Sequence, residues 1–154
     1  MRGKSNSMIR GNRAEDRFKE IAVSLTDKLP IIKVLHTDRS IDARGLDFII
    51  TLTTDHDEEI HVPVQVKSSD CGARKFQAKY TSVEYHNVII IIVNDGRTDT
   101  EILSELYDAL RSVLLDGIRY DLLFAKLEWV SNGSSKPSTK PRFCRKSMYR
   151  LRRR

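Results

Sequence analysis

The sequence lacks several features that define large classes of enzymes and exported proteins. It has only two cysteines, Cys71 and Cys144, which lie 73 positions apart and therefore suggest neither a zinc knuckle nor a short disulfide framework. Its four histidines never fall at the spacing of metal ligands; they are His36, His56, His61 and His86. There is no glycine-rich phosphate loop, which argues against an ATP-driven enzyme. The first residues lack an apolar signal core and no apolar run approaches about 18 residues, so we expect a cytoplasmic, intracellular protein that is neither secreted nor inserted in a membrane.

Acidic residues are missing from one end of the chain. Residues 131–154 contain no aspartate or glutamate, whereas residues 1–130 contain 18 basic and 21 acidic residues, a net charge of −3. The protein as a whole has a net charge of +6 over 154 residues, which is an ordinary size for one domain. The net positive charge therefore comes from nine cationic residues near the C-terminus, namely Lys136, Lys140, Arg142, Arg145, Lys146, Arg150, Arg152, Arg153 and Arg154.

This division predicts a domain over residues 1–130 and a basic flexible tail over residues 131–154. The tail begins with Ser-Asn-Gly-Ser-Ser-Lys-Pro, a composition typical of an extended linker. Its positive charge suits phosphate neutralisation, and Phe143 and Tyr149 suit base stacking. The alternative is that the tail is only a solubilising, disordered end.

Two segments alternate apolar and polar residues in the manner of β-strands. In Leu46–Leu52 the alternation separates Asp47 from the apolar face formed by the even-numbered positions. In His61–Lys67 it places Gln65 and Lys67 together on one face, opposite three valines. Each segment therefore has polar side chains within an otherwise apolar strand, where an unpaired charge is costly to bury.

An acid-rich loop over residues 53–59 joins these two segments and predicts a hairpin. A register that pairs Leu52 with Ile60 sets Asp47 opposite Gln65. Because Lys67 is two positions further along the same face, the hairpin brings an acid, an amide and a lysine into one cluster.

This cluster suits the binding of a hard cation and a phosphate. Mg²⁺ prefers oxygen ligands in octahedral geometry and usually keeps open positions for substrate phosphate. Asp47 offers a charged oxygen and Gln65 a neutral one, and the ammonium of Lys67 can polarise water or stabilise charge on a phosphate. The alternative is that Asp47 and Lys67 form an ordinary cross-strand ion pair on a solvated face, which contributes only ~0–1 kcal/mol.

At Glu15, Asp47, Gln65 and Lys67 the chain resembles the PD-(D/E)xK nuclease superfamily, which includes archaeal Holliday-junction resolvases, many restriction enzymes and some homing endonucleases. In that family a first-helix acid precedes a strand aspartate, which precedes a strand bearing Glu, Asp or Gln, then any residue, then Lys. The resemblance covers about residues 11–95 and lies in pattern and order. Gln65 is a departure, because most members have Glu or Asp there.

The resemblance implies a restriction-endonuclease-like fold and a Mg²⁺-dependent DNA endonuclease in which Mn²⁺ can replace Mg²⁺. It implies that Asp47, Gln65 and the Val66 carbonyl hold the metal, that Lys67 positions the nucleophilic water, and that Glu15 binds a second metal or orients water. It also implies a homodimer or higher homo-oligomer acting on DNA. Hydroxylic residues often follow the lysine in this family, and Ser68 and Ser69 do so here.

Residues 12–29 have apolar side chains at the spacing of an amphipathic helix. At 100° per residue, Glu15 lies at the edge of the apolar stripe and can face a site beside the sheet, whereas Glu20 faces solvent. A second interpretation is purely structural, because Asn12 and Glu15 have the spacing of a capping box.

The remaining segments predict an α/β fold, a mixed β-sheet flanked by helices. We expect strands over residues 30–36 and 88–93, the latter covered on both faces because it is an unbroken apolar run. We expect a helix over residues 100–116 that ends at Gly117. Residues 120–129 predict a last strand, although their Leu-Leu-Phe-Ala core is also compatible with a helix.

A second Gln-x-Lys, at residues 77–79, lacks a preceding strand aspartate and is not a second site of this kind. The basic residues Arg74, Lys75 and Lys79 lie close beyond Lys67 and either bind nucleic acid or form a solvated helix face. Three function classes therefore remain: a metal-dependent DNA endonuclease, a nucleic-acid-binding protein that has lost cleavage, and a basic-tailed scaffold for protein or structured RNA.

Overall fold

An antiparallel hairpin forms the centre of the protein, whose computed structural model describes residues 5–38, 42 and 44–127. Strand β2 spans Phe48–Thr53 and strand β3 spans Glu59–Lys67. Leu52 pairs with Ile60, which confirms the register predicted from the alternation of apolar residues. All but one of the β2 side chains are buried, and the last residue, Thr53, is half-buried.

Two further strands complete a four-stranded mixed sheet in the order β1-β2-β3-β4. Strand β1 spans Ile31–His36 and is antiparallel to β2, and strand β4 spans Ile89–Ile92 and is parallel to β3. The mixed α/β architecture is therefore confirmed. The expected burial of β4 on both faces is only partly correct, because β4 lies at an edge of this sheet and only Ile91 among its four residues is fully buried.

Four α-helices surround the sheet in the described part of the chain: α1 over Asn6–Ser24, α2 over Asp70–Lys79, α3 over Asp99–Asp116 and α4 over Asp121–Lys126. The ring of Phe18 in α1 lies 4.9 Å from that of Phe48, so α1 covers the face formed by the even-numbered β2 residues. Phe124 in α4 meets His61 edge-on, which places α4 over the opposite face. None of the helices described is long and apolar enough to cross a membrane.

Helix α1 begins earlier than the sequence pattern indicated. The hydroxyl of Ser5 caps it by accepting the backbone N–H of Met8, so the predicted capping box at Asn12 and Glu15 is wrong. The residues between positions 6 and 11 do not interrupt the helix, although they lack the apolar periodicity that marked its core.

The predicted strand over residues 120–129 is also wrong where it is described. Residues 121–126 form α4, and the buried residues Tyr120, Leu123, Phe124 and Leu127 recur at helical spacing. The end of that predicted strand, residues 128 and 129, lies outside the described residues, as does the predicted tail over residues 131–154.

Helix α3 ends at the predicted glycine, and its start has a cap that was not predicted. Thr98 and Glu101 form a reciprocal capping box at its start, and Gly117 ends it in the left-handed conformation, with φ of 63°.

Arg17 fastens α1 to the segment between β4 and α3. Its Nε donates to the carboxylate of Asp99 at 2.7 Å, and its two terminal nitrogens donate to the carbonyls of Asn94 at 2.7 Å and Arg97 at 2.6 Å. These three bonds fix the position of α1 at the edge of the sheet where β3 and β4 end.

Candidate active site

The four residues that resemble nuclease motif positions line one cleft at this edge of the sheet. Asp47 directly precedes β2, Gln65 and Lys67 end β3, and Glu15 projects from α1. The cleft has a volume of about 490 Å³ and includes all four side chains. Antiparallel pairing explains why Asp47 lies close to Gln65 and Lys67, because the start of β2 and the end of β3 lie at the same end of the sheet.

Asp47, Gln65 and Val66 form a buried hydrogen-bonded group. Asp47 is 3% exposed and Gln65 is 2% exposed. The side-chain amide nitrogen of Gln65 donates to Oδ2 of Asp47 at 2.5 Å and to the carbonyl of Val66 at 3.3 Å. The same Oδ2 accepts the backbone N–H of Val66 at 2.7 Å. The three residues expected to hold a metal are therefore joined to one another by hydrogen bonds.

The burial of Asp47 changes its acidity. Desolvation raises the pKa of this carboxyl group from 3.8 to about 7, against the lowering effect of the Val66 backbone hydrogen bond. The negative charge of Glu15 and a hydrogen bond with Asp42 raise this pKa further, whereas the positive charge of Lys67 lowers it. A buried carboxylate in such surroundings is stabilised by any added cation.

The alternative of an exposed cross-strand ion pair is wrong. Asp47 is buried, and no salt bridge within 4.0 Å joins Asp47 to Lys67 among the described residues. Lys67 instead extends past Gly72, and its ammonium lies 5.6 Å from the centre of the Phe76 ring. No carboxylate of the described chain neutralises this ammonium at close range, so its charge is available to a phosphate in the cleft.

One buried polar atom in the cleft has no partner in the described part of the chain. The side-chain oxygen Oε1 of Gln65 is inaccessible to solvent and accepts no hydrogen bond from any described residue. An unsatisfied buried acceptor costs about 1–3 kcal/mol, which a cation or a donor would remove. Asp47, the Val66 carbonyl and this oxygen are donors of the type that a hard divalent cation prefers, although it is the nitrogen of the Gln65 amide, not this oxygen, that contacts the other two groups.

Glu15 is held by a histidine. Nε2 of His36 lies 2.9 Å from Oε2 of Glu15, and the His36 ring stacks on Phe48 with centroids 4.6 Å apart. Burial raises the pKa of Glu15, while the hydrogen bond to His36 lowers it. The expectation that Glu15 faces a site beside the sheet is thus met by the structure. The spacing of the histidines, which argued only against a metal site, gave no indication of this contact between His36 and Glu15.

An aromatic wall closes the cleft opposite α1. The rings of Phe76 and Tyr80 are in tilted contact with centroids 4.7 Å apart, and Gly45 packs directly against both rings. Gly45 has a φ of 89°, and a Cβ at this position would lie 2.6 Å from Phe76 and 2.8 Å from Tyr80, so no other residue fits without movement of the wall. Neither ring was predicted from the sequence to lie in a site, and nor was Asp42, which also lines the cleft.

The residues predicted to bind nucleic acid divide into three groups. Ser68, Lys75 and Lys79 line the cleft. Ser69 has a structural role, since its hydroxyl caps α2 by accepting the N–H of Gly72 at 3.1 Å, and Arg74 is exposed on α2 outside the cleft lining. The remaining predicted contacts lie outside the described residues; these are Lys140, Arg142, Arg145, Lys146, Arg150, Arg152, Arg153 and Arg154.

Within the described ranges, no group of three or more histidine, cysteine, aspartate or glutamate side chains is arranged to hold a metal ion. A cation in this cleft would therefore depend on the neutral oxygens of Gln65 and Val66 as well as on Asp47. No protein-family model matches the sequence, and neither a curated protein nor a solved structure matches it.

Proposed function

We propose that this protein is a Mg²⁺-dependent DNA endonuclease that hydrolyses phosphodiester bonds. The observation that supports this most directly is the hydrogen bonding of Asp47, Gln65 and the Val66 backbone in a cleft that also contains the ammonium of Lys67, which no carboxylate of the described residues contacts within 4.0 Å. Metal-assisted phosphodiester hydrolysis needs oxygen ligands for the metal and a positive side chain for the phosphate, because the metal and the substrate phosphate must bind side by side.

Each residue has a definable role in this proposal. Asp47, Gln65 and the Val66 carbonyl would hold the metal, which when bound supplies Lewis-acid stabilisation of the phosphate and lowers the pKa of water. Lys67 would orient the attacking water and stabilise the charge that develops on the phosphate. Glu15, held by His36, would accept a hydrogen bond from that water or contribute to a second metal.

The proposed substrate is DNA, bound by phosphate contacts to the lysines on the α2 side of the cleft. Lys75 and Lys79 lie on this wall and supply the positive charge that non-specific phosphate binding requires. A four-way junction resolved by a homodimer is one form of this proposal, and a restriction or homing endonuclease is another, since two-fold assemblies cut two strands symmetrically.

A second candidate function is binding of nucleic acid without cleavage. It is favoured by the Gln65 amide, which donates to both Asp47 and the Val66 carbonyl and so satisfies them without any metal. In this case the fold and the basic surface would have been retained while the chemistry was lost.

A plasmid-nicking assay separates these candidates. The wild-type protein is incubated with supercoiled DNA in EDTA, Mg²⁺ or Mn²⁺, beside Lys67→Ala and the exposed Lys19→Ala as a matched control. The nuclease proposal requires metal-dependent nicking by wild type and Lys19→Ala but not by Lys67→Ala. Binding in a gel shift without nicking at any metal concentration would favour the second candidate.

A further inference from the structure

The Gln65 side chain has an orientation that conflicts with a simple role as a metal ligand. Its amide nitrogen, not its oxygen, contacts the two oxygens that would share a cation, Oδ2 of Asp47 and the carbonyl of Val66. An amide nitrogen is a donor only and cannot ligate a cation. The amide oxygen is buried and has no hydrogen-bond partner among residues 5–38, 42 and 44–127.

While Asp47 is ionised, the opposite orientation is unfavourable unless a cation is present. A half-turn of the amide would bring Oε1 of Gln65 against Oδ2 of Asp47, placing two acceptors in contact in a site that is almost fully buried. A positive charge between these oxygens would convert the repulsion into attraction. The orientation of the amide is therefore coupled to the presence of a cation.

We propose that the Gln65 amide occupies the cation position in the metal-free protein and must turn its oxygen inward when a divalent cation binds. The NH₂ group acts as a neutral substitute for the cation, since it donates to the same two oxygens. This inference rests on the proposed function, and it gives Gln65 two roles: its NH₂ group satisfies the two oxygens when no metal is bound, and its oxygen is a ligand when a divalent cation binds.

The chain offers an internal control for a spectroscopic test. It contains only two glutamines, Gln65 and Gln77, and Gln77 is exposed on α2. Selective ¹⁵N labelling of glutamine side chains thus gives two NH₂ signal pairs, and Gln77→Glu assigns them by elimination. Both pairs are followed by NMR in EDTA and during a titration with Mg²⁺, and calorimetry on the same samples records whether Mg²⁺ binds.

In EDTA the NH₂ protons of Gln65 should exchange with water about tenfold more slowly than those of Gln77, or slower still, because they are buried and have two acceptors. Saturating Mg²⁺ should shift the Gln65 signals and remove much of this protection, while the Gln77 signals stay in place.

Two results would overturn this inference without affecting the proposed function. One is equal exchange of the two glutamines in EDTA, and the other is a calorimetric binding signal for Mg²⁺ with no change in the Gln65 amide. If the protein neither binds Mg²⁺ nor nicks DNA in the presence of metal, the proposed function is rejected, and the inference that the Gln65 amide turns on metal binding is rejected with it.

Discussion

Replacement of Gln65 by glutamate tests the electrostatics of the cleft without changing its shape. In the wild-type protein the Gln65 amide donates to Asp47 at 2.5 Å, and both side chains are at least 97% buried. Gln65→Glu removes that donor and sets a second carboxyl group against the first. In metal-free buffer this change should destabilise the folded protein.

Two estimates give the size of this effect. Two unit charges about 4 Å apart repel by about 4 kcal/mol at an effective dielectric constant of about 20. The pair can avoid this repulsion by retaining a proton, and holding a glutamate protonated at about pH 7 when its unfolded pKa is about 4.3 also costs about 4 kcal/mol. We therefore expect a loss of about 2–4 kcal/mol near pH 7, which is a large part of the stability of a typical domain.

The pH dependence has a definite sign. Because the carboxyl pair in the folded variant has a raised pKa, its contribution to stability is present below the unfolded pKa and is lost as pH rises. The destabilisation should therefore fall to about 2 kcal/mol or less near pH 5.5. Mg²⁺ should restore most of the stability near pH 7, since a cation pairs with both carboxylates.

Urea denaturation in EDTA and in Mg²⁺, at both pH values, measures these differences. Gln77→Glu is the matched control, because Gln77 is exposed and its replacement should change stability by no more than about 0.5 kcal/mol. Equal stability of the two variants near pH 7 in EDTA would refute the argument that Gln65 and Asp47 share one buried, cation-seeking site.

Three further predictions concern the mechanism, the buried acid and the tail. Lys67→Ala should abolish nicking while retaining the DNA affinity and melting temperature of Lys19→Ala in Ca²⁺; nicking at the wild-type rate would exclude Lys67 from the mechanism. In EDTA the free energy of unfolding of the wild-type protein should fall by up to about 4 kcal/mol as pH rises from about 4 to 7, because the pKa of Asp47 is raised to about 7 in the folded state. The free energy of unfolding of Asp47→Asn should fall much less over the same range. Deletion of residues 131–154 should flatten the slope of log affinity against log salt by several units, at about 0.9 per phosphate on duplex DNA, and an unchanged slope would show that these residues do not contact phosphate.

The hairpin and its cluster could be predicted because they depend on local pattern. Alternation fixed the faces of β2 and β3, and the short loop between them allowed few registers, so the contact between Asp47 and Gln65 followed from sequence alone. Glu15 was found through the angular position of its side chain on a helix, even though the start of that helix was placed six residues too late.

Other parts of the site depend on contacts between distant segments and could not be predicted in the same way. His36 reaches Glu15 only because α1 crosses the end of β1, and Gly45 meets Phe76 and Tyr80 only after α2 folds back. Residues 120–127 were misassigned because their apolar core fits both periods, and their helical packing depends on the sheet face that they cover. The orientation of the Gln65 amide likewise has no signal in the sequence.

The three bonds of Arg17 have a consequence for the order in which the cleft assembles during folding. The hairpin contacts of Asp47 span 18 and 19 residues, whereas the Arg17 contacts that fix α1 span 77 to 82 residues. Closing the longer loop costs about 1 kcal/mol more in chain entropy. We therefore expect the hairpin half of the cleft to form before α1 docks and places Glu15 in the cleft. Changes in the hairpin should then slow folding, whereas loss of the Arg17 bonds should mainly accelerate unfolding.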